Sequence, residues 1–308
     1  MRKRILTLCM LLCGICLIFT VRNCGAEMLP QGAGSFSVEE QAGANAGPMN
    51  IFYYRPSAWT KDQPVVVVFH GLKRDAEKYR DDWIQYAEQY DMLVICPEFS
   101  EEKFPGVRYY NTGNVSDTDD ETGTVQPKDK WVFSAIDDVI KETEKRTGVS
   151  AANITLFAHS AGAQMLHRYI LFDGSAKVRR FIPANAGWYT MPDRSVDFPY
   201  GIKNVPVDDK ALQRAFAAPV TILLGGADTQ RSKILRKTTL ADAQGMNRFE
   251  RGNHFFAMAK QQAGKMDAAF NWQIETVPGV GHNDALMAGA AAKLIADDNQ
   301  NRLQEKKQ

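Results

Sequence analysis

The chain has 308 residues, of which 44% are hydrophobic and 24% are charged, with 37 basic and 36 acidic side chains. This length suffices for one large α/β domain whose core needs no covalent staple. Four of the five cysteines lie within residues 1–24, so a mature chain without that segment would keep only Cys96 and could form no internal disulfide. Residues 1–26, a predicted signal peptide described below, contain four basic and no acidic residues. Without them the chain has 33 basic and 36 acidic side chains, and this slight negative charge argues against nucleic acid or an anionic surface as the partner.

The N-terminus has the pattern of a secretory signal. Three basic residues precede an uncharged apolar run over residues 5–21, and small residues around Ala26 suit cleavage there. We therefore predict that residues 1–26 are a signal peptide and that the rest of the chain is secreted or periplasmic. The apolar run is close to the shortest membrane span, so an uncleaved N-terminal anchor is the alternative and would be the membrane attachment.

Residues 27–47 are rich in Gly, Ala, Ser and Gln and show no apolar periodicity, which predicts a flexible lead-in. From there on, through a predicted catalytic domain over 48–308, short apolar runs alternate with longer amphipathic ones. Helices are predicted at 76–90, about 129–147, from 161, near 208, from about 253 and at about 283–296.

This alternation predicts an α/β fold with a mostly parallel central sheet and helices on both faces. Runs such as residues 65–69, "VVVVF", are apolar at every position, as expected for central strands. Active sites of such sheets lie at the carboxyl ends of the strands, so the residues after each run are the candidates for chemistry.

The stretch 156–164, "LFAHSAGAQ", comes close to the nucleophile elbow GxSxG, with Ala158 in place of the first glycine. Ser160 ends an apolar strand and opens a helical pattern, which is the strand, turn and helix context that an elbow requires. The small residues after Ser160 let the strand and the helix pass closely. On these residues alone, a helix N-cap serine without a catalytic role is an equally good interpretation.

The strand "PVVVVF" leads into His70 and Gly71, and the loop after it resembles an oxyanion loop. An oxyanion hole takes one backbone N–H from the residue after the nucleophile and one from such a loop. Ala161 and Leu72 are therefore the predicted donors, and His70 is predicted to hold the loop in place rather than to act as a base.

Two further residues complete a possible triad. Asp228 follows the strand "VTILLGG", where a carboxylate can accept the Nδ1 proton of a histidine, although a turn-forming aspartate is the alternative. His282 lies in a glycine-rich loop between the last predicted strand and the last helix, whereas His254 opens a helical pattern and is predicted to line the pocket or to pack. The order Ser160, Asp228, His282 is the chain order of nucleophile, acid and base in α/β-hydrolases.

The chain from about 48 to 296 therefore resembles an α/β-hydrolase. More narrowly, "ANAGWYTMP", "NRFERGNHFFAMAKQQA" and "NWQIETVPGVGHN" resemble segments of the esterase group related to secreted polyhydroxybutyrate depolymerases. This resemblance implies Ser160 as nucleophile, Asp228 as the acid that orients the base, and His282 as the base. It also implies a serine esterase that acts on a small or polymeric ester through an acyl-enzyme.

Trp188 and Tyr189 are predicted to overhang the site, with packing in the core as the alternative. The acidic stretch 116–123 lacks the glycine and the glutamate of a calcium loop, and no metal or organic cofactor is expected. Two other functions stay open: peptide hydrolysis by the same site, and a non-catalytic binding module that kept the pocket.

Overall fold

The computed structural model describes residues 28–174 and 176–305. The predicted signal peptide lies outside them. Eight strands of the described part form one sheet: β1 (Gly32–Glu40), β2 (Gly47–Arg55), β3 (Val65–Phe69), β4 (Leu93–Pro97), β5 (Ile154–His159), β6 (Arg180–Ala184), β7 (Thr221–Gly225) and β8 (Gln273–Val277). The α-helices of the same part are α1 (Ala76–Tyr90), α2 (Gly106–Tyr110), α3 (Ser134–Thr147), α4 (Ala161–Phe172), α5 (Asp209–Ala217), α6 (Thr239–Asp242), α7 (Arg248–Lys265) and α8 (Asp284–Glu305).

The strands are arranged in the order β1-β2-β4-β3-β5-β6-β7-β8. β1 pairs antiparallel with β2 and β2 pairs antiparallel with β4, while β3 to β8 run parallel. This arrangement confirms the predicted α/β class with a mostly parallel sheet.

Two hydrophobic cores lie on opposite faces of the sheet, because successive side chains of a strand point to opposite sides. Along β3, Val65, Val67 and Phe69 belong to the core under α3, α4, α5 and α7, whereas Val66 and Val68 belong to the core under α1 and α8. All five are buried, so both faces of the central strands are covered. No helix of the described residues is long and apolar enough to cross a bilayer.

The sequence predicts a flexible lead-in at 27–47, and here the structure differs. β1 occupies nine residues of this segment and pairs along its whole length with β2, from Gly32 opposite Arg55 to Glu40 opposite Gly47. The side chains of Phe36 and Val38 pack against the core while their neighbours face solvent. Only these two large apolar residues alternate among small polar ones, so the period of two is weak in the sequence.

Candidate active site

Ser160 lies in a sharp turn between β5 and α4. Its backbone has φ 56° and ψ −110°, a conformation that costs a non-glycine residue free energy and is typical of functional sites. Gly162, two residues later, donates its N–H to the carbonyl of His70 at 3.1 Å. A Cβ at Gly162 would lie 2.7 Å from that same oxygen and 2.8 Å from the carbonyl oxygen of Phe69. The start of α4 thus packs directly on the end of β3.

Three polar side chains meet at this edge of the sheet. The Ser160 Oγ lies 2.9 Å from His282 Nε2, and His282 Nδ1 lies 2.7 Å from Asp228 Oδ2. Ser160 follows β5, Asp228 follows β7 and His282 follows β8. Because these strands are parallel, all three residues lie at the same edge of the sheet, where the strands end. The sequence prediction named these residues, and the structure brings them into one hydrogen-bonded chain.

Asp228 has a second charged neighbour that the sequence prediction missed. Arg248, in the first turn of α7, places Nη1 3.5 Å from Asp228 Oδ1, and both side chains are almost fully buried. Burial lowers the pKa of the Arg248 guanidinium, and the Asp228 carboxylate opposes that shift. The two oxygens of Asp228 therefore face a histidine on one side and an arginine on the other.

The loop after β3 is fixed by His70. Its Nε2 accepts the Phe99 N–H at 3.0 Å, its Nδ1 lies 3.0 Å from the Gly71 carbonyl oxygen, and the hydroxyl of Tyr110 donates to the His70 carbonyl at 2.6 Å. Through these contacts His70 holds the loop, and within the described residues its side chain makes no hydrogen bond to Ser160, Asp228 or His282. Burial, helped by the charge of Arg74, lowers the pKa of His70 to about 3.

Both predicted oxyanion donors border the same cavity as Ser160. Among the described residues, the Leu72 N–H has no hydrogen-bond acceptor. Ala161 is the first residue of α4, so its N–H has no partner within the helix. Both N–H groups are thus available to an oxygen bound at the nucleophile.

The buried His70 predicts a loss of stability in acid. An unfolded histidine binds a proton below about pH 6.5, whereas folded His70 stays neutral down to about pH 3. Its contribution is therefore complete above pH 6.5 and is lost as the pH falls towards 3, at about 1 kcal/mol per pH unit between pH 6 and 5. Urea unfolding at pH 7, 6 and 5 measures the slope.

We expect a slope smaller by about one proton in His70→Gln than in the wild type. Tyr110→Phe is the matched control, because it removes a hydrogen bond to the same loop but no group that titrates in this range. An equal slope in His70→Gln and wild type would contradict the prediction.

Ser160 lies where two cavities meet. The first, of about 250 Å³, is bordered by Ala161 and Trp188, and the second, of about 290 Å³, is bordered by His282. Leu72 and Ile234 border both cavities, and their side chains are 47% and 67% exposed. The two apolar side chains therefore form a rim over the nucleophile.

Of the three residues predicted to line the pocket, Trp188 borders a cavity beside Ser160, whereas Tyr189 and His254 do not. Trp188 borders the first cavity. Tyr189 is fully buried outside both cavities and stacks on Phe255 with ring centroids 4.5 Å apart. His254 Nδ1 lies 3.1 Å from the Gln244 carbonyl oxygen, and His254 borders neither cavity.

Polar residues of the first cavity escaped the sequence prediction: Asn111, Gln164, Arg236 and Arg248. Of these residues, only Gln164 could have been predicted from the sequence, because it follows Ser160 by one helical turn and therefore lies on the same face of α4. In the second cavity the ring of His159 packs on that of His282, with centroids 4.7 Å apart. Within the described residues no cluster of three or more His, Cys, Asp or Glu side chains could hold a metal ion.

No protein-family model and no curated protein matches this sequence. Solved structures do match. Poly(aspartic acid) hydrolase-1 from Sphingomonas sp. KT-1 is 37% identical with a TM-score of 0.79, over 87% of this chain and 99% of that one. LpqC, a poly(3-hydroxybutyrate) depolymerase from Bordetella parapertussis, is 32% identical with a TM-score of 0.79, over 86% and 89% of the two chains.

A fluorophosphonate-binding serine hydrolase of Staphylococcus aureus, FphF, shares the fold at 15% identity and a TM-score of 0.54, over 88% of this chain and 99% of that one. Fold and site together define an α/β-hydrolase. Within that superfamily the chain belongs to the esterase group related to polyhydroxybutyrate depolymerases. This membership confirms the predicted enzyme class, a carboxylic ester hydrolase.

Proposed function

We propose that the protein is a secreted serine esterase in which Ser160, His282 and Asp228 form the catalytic triad. The observation that carries the proposal is the continuous hydrogen-bonded chain from Ser160 Oγ through His282 to Asp228, with contacts of 2.9 and 2.7 Å. The strained backbone of Ser160 supports it, because an elbow holds its serine in such a conformation.

In the first half of the reaction His282 Nε2 takes the proton of Ser160 Oγ as the oxygen attacks the ester carbonyl. The N–H groups of Leu72 and Ala161 hold the negative oxygen of the tetrahedral intermediate. When the intermediate collapses, the protonated His282 gives its proton to the departing alcohol, and Asp228 stabilises the imidazolium in the meantime. The product of this half is an ester of Ser160 with the acyl group.

In the second half His282 takes a proton from water, and the resulting hydroxide attacks the acyl-enzyme. Collapse of the second intermediate returns the proton to Ser160 and releases the carboxylic acid. The enzyme is regenerated, and the net reaction consumes one water molecule per ester bond.

A fluorophosphonate probe tests the nucleophile. We expect the probe to label the wild type and Ser57→Ala, a matched serine change at an exposed position, and to leave Ser160→Ala unlabelled. The two proteins that the probe labels should, in separate samples without the probe, hydrolyse short-chain esters and poly(3-hydroxybutyrate). Labelling of Ser160→Ala would refute the assignment, and an unlabelled wild type would favour a binding module.

Amide hydrolysis by the same triad is the second candidate. The relative from Sphingomonas is named for poly(aspartic acid), a polymer whose units are joined by amide bonds. Amides that match the esters in acyl group belong in the same assay, since turnover of the amides at the rate of the esters would favour this candidate.

Export of the catalytic domain is part of the proposal. It rests on the basic and apolar pattern of residues 1–26. We expect N-terminal sequencing of protein recovered from outside the cytoplasm to begin near Glu27. An intact Met1 start in the membrane fraction would instead establish an N-terminal anchor.

A further inference from the structure

The two cavities beside Ser160 have different roles in the proposed function, on which this inference rests. His282 gives its proton to the departing alcohol, so the alcohol side of the substrate lies in the second cavity, which His282 borders. Ala161, whose N–H holds the carbonyl oxygen, borders the first cavity. The acyl group therefore extends into the first cavity.

This acyl cavity has a mixed lining, in which apolar side chains stand beside polar ones, and some of the buried polar atoms lack partners within the described residues. Asn111 and Gln164 are 4% and 6% exposed, and their side-chain amide oxygens have no hydrogen-bond partner within the described residues. Buried polar groups without partners are rare and costly, so two of them beside one cavity suggest that the cavity is built for an occupant with a polar group. The acyl group should therefore combine a short apolar stem with a polar end.

Two arginines give the cavity a positive charge. Arg236 donates from Nη2 to the backbone carbonyl of Asp119 at 2.7 Å, and its buried Nη1 has no partner among the described residues. Arg248 likewise keeps its buried Nε unpaired, and its one carboxylate neighbour in that part of the chain, Asp228, lies at 3.5 Å. Of the described residues, no aspartate or glutamate borders the cavity.

A third arginine, Arg168, lies behind the residues that line the first cavity. Arg168 is fully buried, donates through Nη1 to the backbone carbonyls of Asn111 and Gln164 at 2.9 and 2.8 Å, and has no carboxylate partner in the described part of the chain. Its guanidinium lies 4.1 Å from the ring of Trp188, and that of Arg236 lies 4.6 Å from the same ring. Arg168 thus positions the backbone that carries both amides and adds charge behind Trp188.

We propose that this cavity recognises an acyl group that carries a carboxylate. Guanidinium groups bind carboxylates through short charge-assisted hydrogen bonds, and here the two arginines Arg236 and Arg248 both border the cavity. The side-chain N–H groups of Asn111 and Gln164, which border the same cavity, can donate the remaining hydrogen bonds to the carboxylate, whereas their amide oxygens can only accept. The preferred substrates are then esters of dicarboxylic acids in which one carboxylate is free.

A matched pair of substrates tests the proposal. Monoethyl succinate and ethyl 4-oxopentanoate place a planar oxygen-bearing group at the same distance from the ester, and only the first is charged. We expect the wild type to show a kcat/KM at least about tenfold higher for the half-ester, mainly through KM, and added salt to reduce that advantage. The released ethanol measures both reactions.

The arginines are tested through the ratio of the two kcat/KM values. Arg236→Gln should bring this ratio close to one, Arg236→Lys should restore part of it, and Arg194→Gln should leave it unchanged. Arg194 is the matched control because its exposed side chain pairs with Asp209 outside both cavities. Should Arg236→Gln fail to fold, the wild-type ratio and its salt dependence still decide.

Equal or faster hydrolysis of the uncharged ester by the wild type would overturn the inference and leave the esterase function standing. Hydrolysis of neither ester, together with no fluorophosphonate labelling, would overturn the function and the inference together. A preference for the half-ester that Arg236→Gln leaves intact would also overturn the assignment to this cavity.

Discussion

His282→Ala is expected to lower kcat by about 10⁴- to 10⁶-fold, as much as Ser160→Ala does, and the double variant should be no worse than either. Triad members act as a unit, so the losses do not add. The structural reason is that His282 contacts both other members, at 2.9 Å to Ser160 Oγ and 2.7 Å to Asp228 Oδ2. Steady-state turnover of one soluble ester, with folding checked by circular dichroism, measures the effect.

Asp228→Asn should cost about 10⁴-fold in kcat, because an asparagine favours the wrong histidine tautomer. It should also lower stability, since the buried Arg248 would lose its carboxylate partner. The thermal midpoint separates the two effects: a stability loss alone would leave kcat of the folded fraction unchanged.

His254→Ala is the comparison that discriminates between histidines. His254 follows Asp228 in the chain, as a triad base must, but it contacts the Gln244 carbonyl and not Ser160. If His254→Ala lowered kcat more than His282→Ala did, the assignment of the base would be wrong.

The sequence was most informative where one local pattern decided the structure. The amphipathic run 76–90 forms α1 with the predicted bounds, and the uniformly apolar run at 65–69 forms the central strand β3. Ser160, Asp228 and His282 could be found because each follows a strand, and parallel strands end at one edge of the sheet. Their order along the chain also matches that of the fold.

The start of α7 and the strand β1 are two features that the sequence analysis did not predict correctly. α7 begins at Arg248, several residues before the predicted start, because the Asn247 side chain accepts the Glu250 N–H. Asn followed three residues later by Glu is a capping pattern visible in the sequence. β1, in contrast, is stabilised by its pairing with β2 and by contacts of Phe36 with the core. These are interactions with distant parts of the chain, so no local sequence pattern predicts them.

The polar wall of the first cavity could not be predicted from the sequence. Asn111 follows α2, Gln164 lies in α4, Arg236 lies in the loop after β7 and Arg248 opens α7. Each looks like an ordinary surface residue beside its neighbours in the sequence. Their common surroundings arise only when the loops after different strands fold over Ser160, and the unpaired atoms are visible only in three dimensions.

Among the variants discussed, we expect substitutions of Gly162 in the nucleophile elbow to cause the largest loss of stability. In Gly162→Ala the new methyl would lie 2.7 and 2.8 Å from the carbonyl oxygens of His70 and Phe69, which belong to backbone fixed in and after the central strand β3. These atoms cannot rotate away as a flexible side chain would. We expect a loss of at least about 3 kcal/mol in the free energy of unfolding, with overpacking as the cause, and a larger loss in Gly162→Val.

Gly264→Ala is the matched control. Gly264 lies within α7, and a Cβ there would meet no atom within 4 Å. Alanine is the better helix former by about 1 kcal/mol, so this variant should be as stable as the wild type or slightly more so, with unchanged turnover. A comparable loss in both variants would show that glycine is not required by the contact with β3.

Ala158 tests the strand side of the same elbow. It is fully buried in β5, opposite Phe69 of β3 and Pro183 of β6. Because this position belongs to a regular strand, it needs a small side chain and not the backbone freedom of glycine. Ala158→Gly should therefore cost about 1 kcal/mol or less and change turnover only modestly.

Ala158→Val adds two methyl groups to a closely packed site, so we expect a loss of about 1 to 3 kcal/mol and a larger loss of turnover, because any shift of β5 displaces Ser160 from His282. Thermal midpoints and ester turnover of the Ala158 and Gly162 variants rank the two sides of the elbow. If Ala158→Val were as stable and active as the wild type, the end of β5 would tolerate bulk, and the alanine in "AHSAG" would not be a replacement for the elbow glycine.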